Sequence, residues 1–435
     1  MTPRRTLPAV LLGLSASVQG LFGTRAQAQT AAPPPATATP VPAAPPPAAP
    51  LPGAAPADAA LVERQVFESS NYATRGGATI GRMRVGYQVA GTLNAAGDNA
   101  ILICHPFVAN GQAFGRTDKE GTPGWWDSII GPGKPIDTDR YFVVASDTPA
   151  NLNAREARVT STGPTSVDPS TGRPYGMSFP VLSIRDFVEV QKLLLDSLGV
   201  KALAMVGGPS MGSMQAIEWA AAYTQMVRRV LAAVPTGTMD AFLQGWMEVW
   251  EAPIRNDPNW RGGDYYAQGR EAPTRGLTDA LRIVVLQTSD RGDLARFDRQ
   301  VPEGQEPAKR IGDTVAVDRF LTDAATVRAR VSDANSFLYL TRAMQLFLNE
   351  YPDTLTALAR SQAAWLVLPA TGDRLFPVEY GRELARLLAE AKRPVKLPVR
   401  LMELSGDLGH GEGMAGIGQA AEAIRSFLAQ PAPAP

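Results

Sequence analysis

The chain has 435 residues, with 42 Lys plus Arg against 42 Asp plus Glu, a single cysteine (Cys104) and two histidines. The balanced charge provides no basic stripe, so no nucleic-acid partner is expected. One cysteine excludes an intramolecular disulfide and a zinc site of the Cys/His kind, and neither histidine has an HxH or HExxH partner, so no metal and no cofactor is expected.

Residues 1–28 have the make-up of a cleavable export signal: Arg4-Arg5 near the start, a largely apolar run from Leu7 to Phe22, and Ala26-Gln27-Ala28 as a small-x-small cleavage site. Pro8, Gly13 and Gly20 interrupt the apolar run, which is too short to anchor in a bilayer. The expected location is therefore periplasmic or secreted, without stable membrane insertion. Pro8 makes Arg4-Arg5 a poor twin-arginine match, and both export routes stay open. Residues 29–61 are nearly all Ala and Pro and should form an extended linker, and the short tail 431–435 is similar.

The remaining chain suits one large domain with an insertion. Apolar, β-branched runs predict strands at Met83–Val89, Ala100–Cys104, Tyr141–Ala145, Ala202–Val206, Arg229–Val234, Ala364–Leu368 and Val399–Leu404. Helical patterns at Ser183–Leu198, Met214–Tyr223 and Val378–Ala391 alternate with them, which implies an α/β fold with a mostly parallel sheet covered on both faces. The alternation stops between about residues 238 and 360, where Met239–Glu251, Leu277–Thr288 and Asn335–Leu348 read as helices and no central strand is convincing. The expected organisation is a core in two parts, 62–237 and 361–430, with a helical insertion at 238–360 between them.

The sharpest motif is Gly208-Pro209-Ser210-Met211-Gly212, a G-x-S-x-G that follows an apolar strand and precedes a helix. In that context it is the nucleophile elbow of an α/β-hydrolase fold, where small residues let a strained turn lift a serine hydroxyl above the strand ends. The backbone N–H of Met211 is placed to be one oxyanion donor. In this fold the insertion would form a cap over the site.

A nucleophilic serine needs a base. His410, in SGDLGHGEGM after the last strand, fits the chain order Ser, acid, His; His105, in LICHPFVANG after an early strand, falls where this fold builds its other oxyanion loop. The orienting acid should lie between Ser210 and His410. Asp373 follows the apolar strand of WLVLPATGDRLFP, while its rival Asp407 is only three residues before His410, too close to reach Nδ1 easily. Phe107 is the candidate for the second oxyanion N–H, with Val108 as the alternative. Cys104 reads as a small core residue of its strand.

Several stretches resemble the homoserine O-acetyltransferase family: GWWDSIIGPGKPIDTDRYFVV, STGPTSVDPSTGRPYGMSFPVLSIRDFVEVQKLLLDSLGV, GGPSMGSMQAIEWA, DPNWRGGDYY, NSFLYLTRAM and GDRLFPVEYGREL, from about residue 80 to 425. The resemblance implies an α/β-hydrolase core with a helical cap, a triad at Ser210, Asp373 and His410, acetyl transfer from acetyl-CoA through an acetyl-serine, and often a homodimer through the caps. This chain departs from the family where substrate is held. The family's Arg in the first cap helix, in a pattern like FNEVxRQAI, is matched by Glu251 in WMEVWEAPI, which should repel a carboxylate. The Asp that commonly follows the triad His is replaced by Gly411, and the early loop HALTG by HPFVANG. An exported enzyme would also lack cytoplasmic acetyl-CoA. The expected activity is therefore hydrolysis of a small-molecule ester or acyl substrate. The competing readings are O-acetyl transfer and a non-catalytic binding protein on a hydrolase scaffold.

Overall fold

The computed structural model describes residues 60–118 and 121–431. The export signal, the Ala/Pro-rich stretch up to residue 59 and the tail from residue 432 lie outside the described residues.

Eight strands form one sheet: β1 (Gln65–Ala73), β2 (Thr79–Ala90), β3 (Ala100–Cys104), β4 (Phe142–Ser146), β5 (Leu203–Pro209), β6 (Arg229–Ala233), β7 (Ala364–Leu368) and β8 (Val399–Leu401). Their spatial order is β1-β2-β4-β3-β5-β6-β7-β8. β2 pairs antiparallel with β1 and β4, and every pairing from β4 to β8 is parallel. A parallel sheet needs cover on both faces, and β3 shows why its run is uniformly apolar. Ala100, Leu102 and Cys104 enter one core, while Ile101 and Ile103 enter the core on the opposite face.

Helix α1 (Ile184–Ser197) opens with a full capping box, in which Ser183 accepts from the Asp186 N–H and Asp186 accepts from the Ser183 N–H. Helix α2 (Met211–Ala222) begins directly after Ser210, three residues earlier than the sequence pattern suggests, because the elbow itself is the helix N-cap. Between β6 and β7 the described chain contributes helices and loops but no strand of the sheet. These include α3 (Ala241–Asn256), α4 (Thr274–Thr288), α5 (Ala316–Ala329), α6 (Ala334–Gln345) and α7 (Thr354–Ala359). Helices α8 (Val378–Glu390) and α9 (Ala421–Ala429) complete the second part of the core.

Among the elements that escape the sequence pattern, three do so for identifiable reasons. β1 is an edge strand whose residues are nearly all exposed or half-buried, so it lacks an apolar face. α5 buries only Leu321, Ala325 and Ala329, too small a stripe to register as a period. α9, with nine residues, is too short to stand out from the loop before it. β8 ends at Leu401 instead of Leu404, and the chain beyond it keeps contact with β7 through Met402 N–H to Val367 O at 3.0 Å.

Candidate active site

The elbow is built on close backbone approach. Ser210 has φ 57° and ψ −123°, a left-handed conformation that costs a non-glycine residue roughly 1–3 kcal/mol. A Cβ on Gly208 would sit 2.1 Å from the Cys104 carbonyl oxygen, and one on Gly212 would sit 2.2 Å from the same atom. The two glycines of the motif are therefore required because the end of β3 passes against the turn on both sides of the serine. Ser210 is anchored by its own N–H to Ala233 O at 3.0 Å, and its carbonyl accepts from the Ser213 N–H at 2.8 Å and hydroxyl at 2.6 Å.

His410 lies on the 3-10 turn Gly409–Gly413 that follows β8. Its Nδ1 is 2.6 Å from Asp373 Oδ2. Asp373 is itself held by two backbone donors, since its Oδ1 accepts from the N–H groups of Leu375 and Phe376, each at 2.9 Å. The Phe376 ring stands edge-on to the imidazole at 5.4 Å. With Nδ1 facing a carboxylate, the hydrogen-bond pattern puts the ring proton there and leaves the lone pair on Nε2. That Nε2 is buried and has no hydrogen-bond partner in the protein. The turn packs against the elbow, since a Cβ on Gly413 would meet Val234 Cγ2 at 2.4 Å and Pro209 Cβ at 3.3 Å. The Ser210 hydroxyl and His410 are not hydrogen-bonded to one another; such bonds often form only once substrate is in place.

The carboxylate that meets His410 is thus Asp373. Asp407 turns elsewhere, with its Oδ1 2.9 Å from where a Cβ on Gly292 would stand. His105 is buried and engaged on both ring nitrogens. Nδ1 is 2.8 Å from Pro106 O, and Nε2 accepts the Thr148 N–H at 3.0 Å and lies 3.1 Å from Asn151 Nδ2. Burial pushes its imidazole down to about 4, so it stays neutral and braces the loop that follows β3. Cys104 is buried in the β3 core, and burial raises its thiol.

The oxyanion candidates flank this site. Met211 is the first residue of α2, so its N–H has no helical acceptor. Phe107 begins the turn closed by Ala109 N–H to Pro106 O at 3.1 Å. Its ring is buried edge-on against Phe337 at 5.0 Å and lies 5.6 Å from Trp250, so the side chain packs under the inserted helices. The neighbouring Val108 carbonyl accepts from Arg328 Nη1 at 2.9 Å.

Other residues hold the site without having announced themselves in the sequence. Glu412 is buried beside the His410 turn and accepts from the Leu408 N–H at 3.1 Å and from Gln419 Nε2 at 2.7 Å. Trp126 Nε1 donates to Gly413 O at 2.9 Å across 287 residues of chain. Gln287 accepts from Trp250 Nε1 at 2.7 Å, and its own amide nitrogen is buried without a partner. Glu251 does not present a bare charge as the sequence suggests. It is fully buried, paired with Arg255 one turn on (Nε to Oε2 2.9 Å), and takes the Thr341 hydroxyl. Among the described residues no group of three or more His, Cys, Asp or Glu side chains is arranged to hold a metal, and no helix is long and apolar enough to cross a membrane.

Residues 99–399 match the family model of the alpha/beta hydrolase fold. A homoserine O-acetyltransferase of Methanosphaerula palustris is 36% identical over 80% of this chain and 69% of its own length. The chain belongs to the homoserine O-acetyltransferase-like family of α/β hydrolases. Two solved structures are similar to it over most of its length. Esterase E22 aligns with a TM-score of 0.80 at 41% identity, covering 85% of this chain and 100% of that one. The homoserine O-acetyltransferase from Bacillus anthracis also gives 0.80, at 30% identity over 86% of this chain and 99% of its own. The protein is accordingly an α/β-hydrolase-fold enzyme whose family relatives include both acyltransferases and an esterase.

Two outcomes follow from the local geometry. Gly208→Ala should cost at least about 3 kcal/mol, because its Cβ would meet backbone and not a movable side chain; a denaturation midpoint equal to wild type would contradict the close approach. His105 should contribute stability that is present above about pH 6.5 and fades as pH falls towards 4, since the unfolded chain takes up a proton that the folded imidazole resists. Glu218, pushed up to about 7 by burial, acts in the opposite sense over the same window, so wild type must be compared with His105→Gln at each pH. The stability gap between them should shrink by an amount on the order of 3 kcal/mol between pH 6.5 and 4, and a constant gap would exclude a neutral buried His105.

Proposed function

We propose that the enzyme hydrolyses small acyl esters through a Ser210–His410–Asp373 triad and an acyl-serine intermediate. The observation that carries this reading is the 2.6 Å contact between His410 Nδ1 and Asp373, which leaves a buried, unengaged Nε2 on a turn packed against the serine elbow. In the first step Ser210 Oγ attacks the ester carbonyl carbon as Nε2 takes its proton. The carbonyl oxygen becomes an oxyanion held by the N–H groups of Met211 and of Phe107 or Val108. Collapse of this intermediate expels the alcohol, which leaves with the proton from Nε2. Water then attacks the acyl-serine with Nε2 again as base, and the acid departs as Ser210 recovers its proton.

Hydrolysis is favoured over acetyl transfer by what the pocket lacks. Glu251 is satisfied by Arg255 and Thr341, so this position offers no cation to an amino acid's carboxylate. Gly411 has no side chain for an amine, and the likeness to esterase E22 extends over that whole chain. O-acetyl transfer remains the second reading because of the homoserine O-acetyltransferase relatives. The enzyme is further proposed to act in the periplasm or outside the cell, on the strength of the signal-like residues 1–28.

Wild-type protein should release p-nitrophenol from p-nitrophenyl acetate faster than it consumes acetyl-CoA with homoserine. Ser210→Ala and His410→Ala should each lower turnover at least about ten-thousandfold while keeping the wild-type melting temperature. Rapid acetyl transfer to homoserine would overturn the hydrolase reading, and near-normal turnover by the Ser210 variant would end the triad. For location, Edman sequencing of the exported product should begin near Gln29; an intact Met1 confined to the cytosol would refute export.

A further inference from the structure

Arginines without a carboxylate partner are uncommon inside this protein, and one of them stands beside the proposed oxyanion loop. Half-buried Arg64 pairs with Asp147, and half-buried Arg185 pairs with Glu189 and Glu218. Arg229 and Arg393 have no acid, but each donates to two backbone carbonyls, Ala204 and Gln430 in one case and Ala363 and Leu397 in the other. Arg328, on the last turn of α5, makes a single hydrogen bond, from Nη1 to Val108 O at 2.9 Å. Among the described residues no carboxylate lies within ion-pair distance of it, and its Nε and Nη2 have no partner. The residue as a whole is half-buried.

A half-buried guanidinium without a counter-ion carries a desolvation cost that its single bond to Val108 O offsets only in part. The enclosure is deep enough to pull Arg328 below the ordinary arginine pKa. The planar fork it leaves open is the natural receptor for a carboxylate, which can accept two parallel N–H bonds. Its position gives this receptor a purpose. Val108 O, to which Arg328 is bonded, belongs to the residue after Phe107, so the guanidinium is attached to the loop proposed to polarise the ester carbonyl. Asn153 Nδ2 donates to the same carbonyl at 3.3 Å, which helps fix the loop against α5.

We propose that Arg328 is a specificity-determining residue that binds a carboxylate carried by the ester substrate, a few bonds from the scissile carbonyl. This rests on the hydrolase reading above and narrows it, from small esters in general to anionic ones. It also fits the altered pocket. The first inserted helix offers no free cation at Glu251 and the His410 turn offers no acid at Gly411, so the substrate that suits this site is an acid without a neighbouring amine.

The test pairs each charged ester with an uncharged isostere, because only the comparison isolates the fork. Monoethyl succinate against ethyl 4-methylpentanoate places the carboxylate on the acyl side; 3-acetoxypropanoate against 3-methylbutyl acetate places it on the alcohol side. Acid release is followed by pH-stat titration in wild type, Arg328→Gln and Arg328→Lys. In at least one pair the charged-to-neutral ratio of kcat/KM should fall about tenfold or more in Arg328→Gln, mainly through KM, and recover in part in Arg328→Lys. Ratios within twofold of wild type in both pairs would overturn the proposal. Calorimetric titration of succinate into the Ser210→Ala protein asks the same question without turnover. Binding that disappears in the Ser210→Ala, Arg328→Gln double variant supports the fork, and equal or absent binding in both overturns it. Failure of wild type to hydrolyse any of the four esters would instead overturn the hydrolase reading, leaving the calorimetric result to judge Arg328 alone.

Discussion

The site depends on one steric constraint, the passage of the Cys104 carbonyl between Gly208 and Gly212. With that oxygen 2.1 and 2.2 Å from where their Cβ atoms would lie, β3, β5 and the start of α2 are locked at backbone contact distance. Ser210 has little choice but the left-handed conformation that joins β5 to α2, and the strain of that conformation is held by bonds at both its N–H and its carbonyl. The same constraint places the loop after β3. Cys104 is followed at once by His105, Pro106 and Phe107, so whatever fixes β3 against the elbow also fixes the second oxyanion candidate relative to the first.

His105 shows how a polar side chain can serve this arrangement without joining the chemistry. Its neutral ring spans the Pro106 carbonyl on one side and the Thr148 N–H on the other, tying the loop after β3 to the chain that leaves β4. Protonation would replace an acceptor with a donor facing the Thr148 N–H, which is why burial and this bonding pattern both favour the neutral ring. His410 has the complementary design. Only its Nδ1 is engaged, by a carboxylate whose other oxygen is already fixed by two backbone N–H groups, so the ring is oriented while its reactive nitrogen stays open. The turn that carries it is secured from outside by Trp126 and from within by Glu412. Position 409 requires glycine, because its φ is +59° and a Cβ there would press on the backbone of Ser289 and Asp290 beyond α4.

The sequence is most legible where chemistry forces a local pattern. G-x-S-x-G between an apolar strand and a helix suits little besides a nucleophile elbow, and the central strands from β3 to β7 announce themselves because burial on both faces leaves them uniformly apolar. The pairing of Asp373 with His410 could be anticipated from chain order. What the sequence hides is long-range or half-exposed. Trp126 reaches Gly413 from the other end of the domain, Glu412 looks like an ordinary loop acid, and β1 and α5 bury too little to show a period. Glu251 is the instructive case, because its identity is plain in the sequence while its effect depends on Arg255, one turn on in the same helix, and on Thr341, which only the packing of α3 against α6 brings to it.

Specificity is therefore the least local property of this enzyme. The acyl-serine of such a site is indifferent to whether water or an alcohol attacks it, since one imidazole serves as base for either. The outcome is decided by whether the pocket holds an acceptor in place against the competing concentration of water. In this protein the rings of Phe107, Trp250 and Phe337 pack against one another in the core, and the acid on the first inserted helix is paired with its own neighbour. On the proposed hydrolase reading, with an acid at position 251 and glycine at position 411, water is the acceptor. Under the proposals above, Arg328 on α5 bears on which ester is bound and position 251 on α3 on which acceptor is held, so substrate choice and reaction type would rest on separate helices.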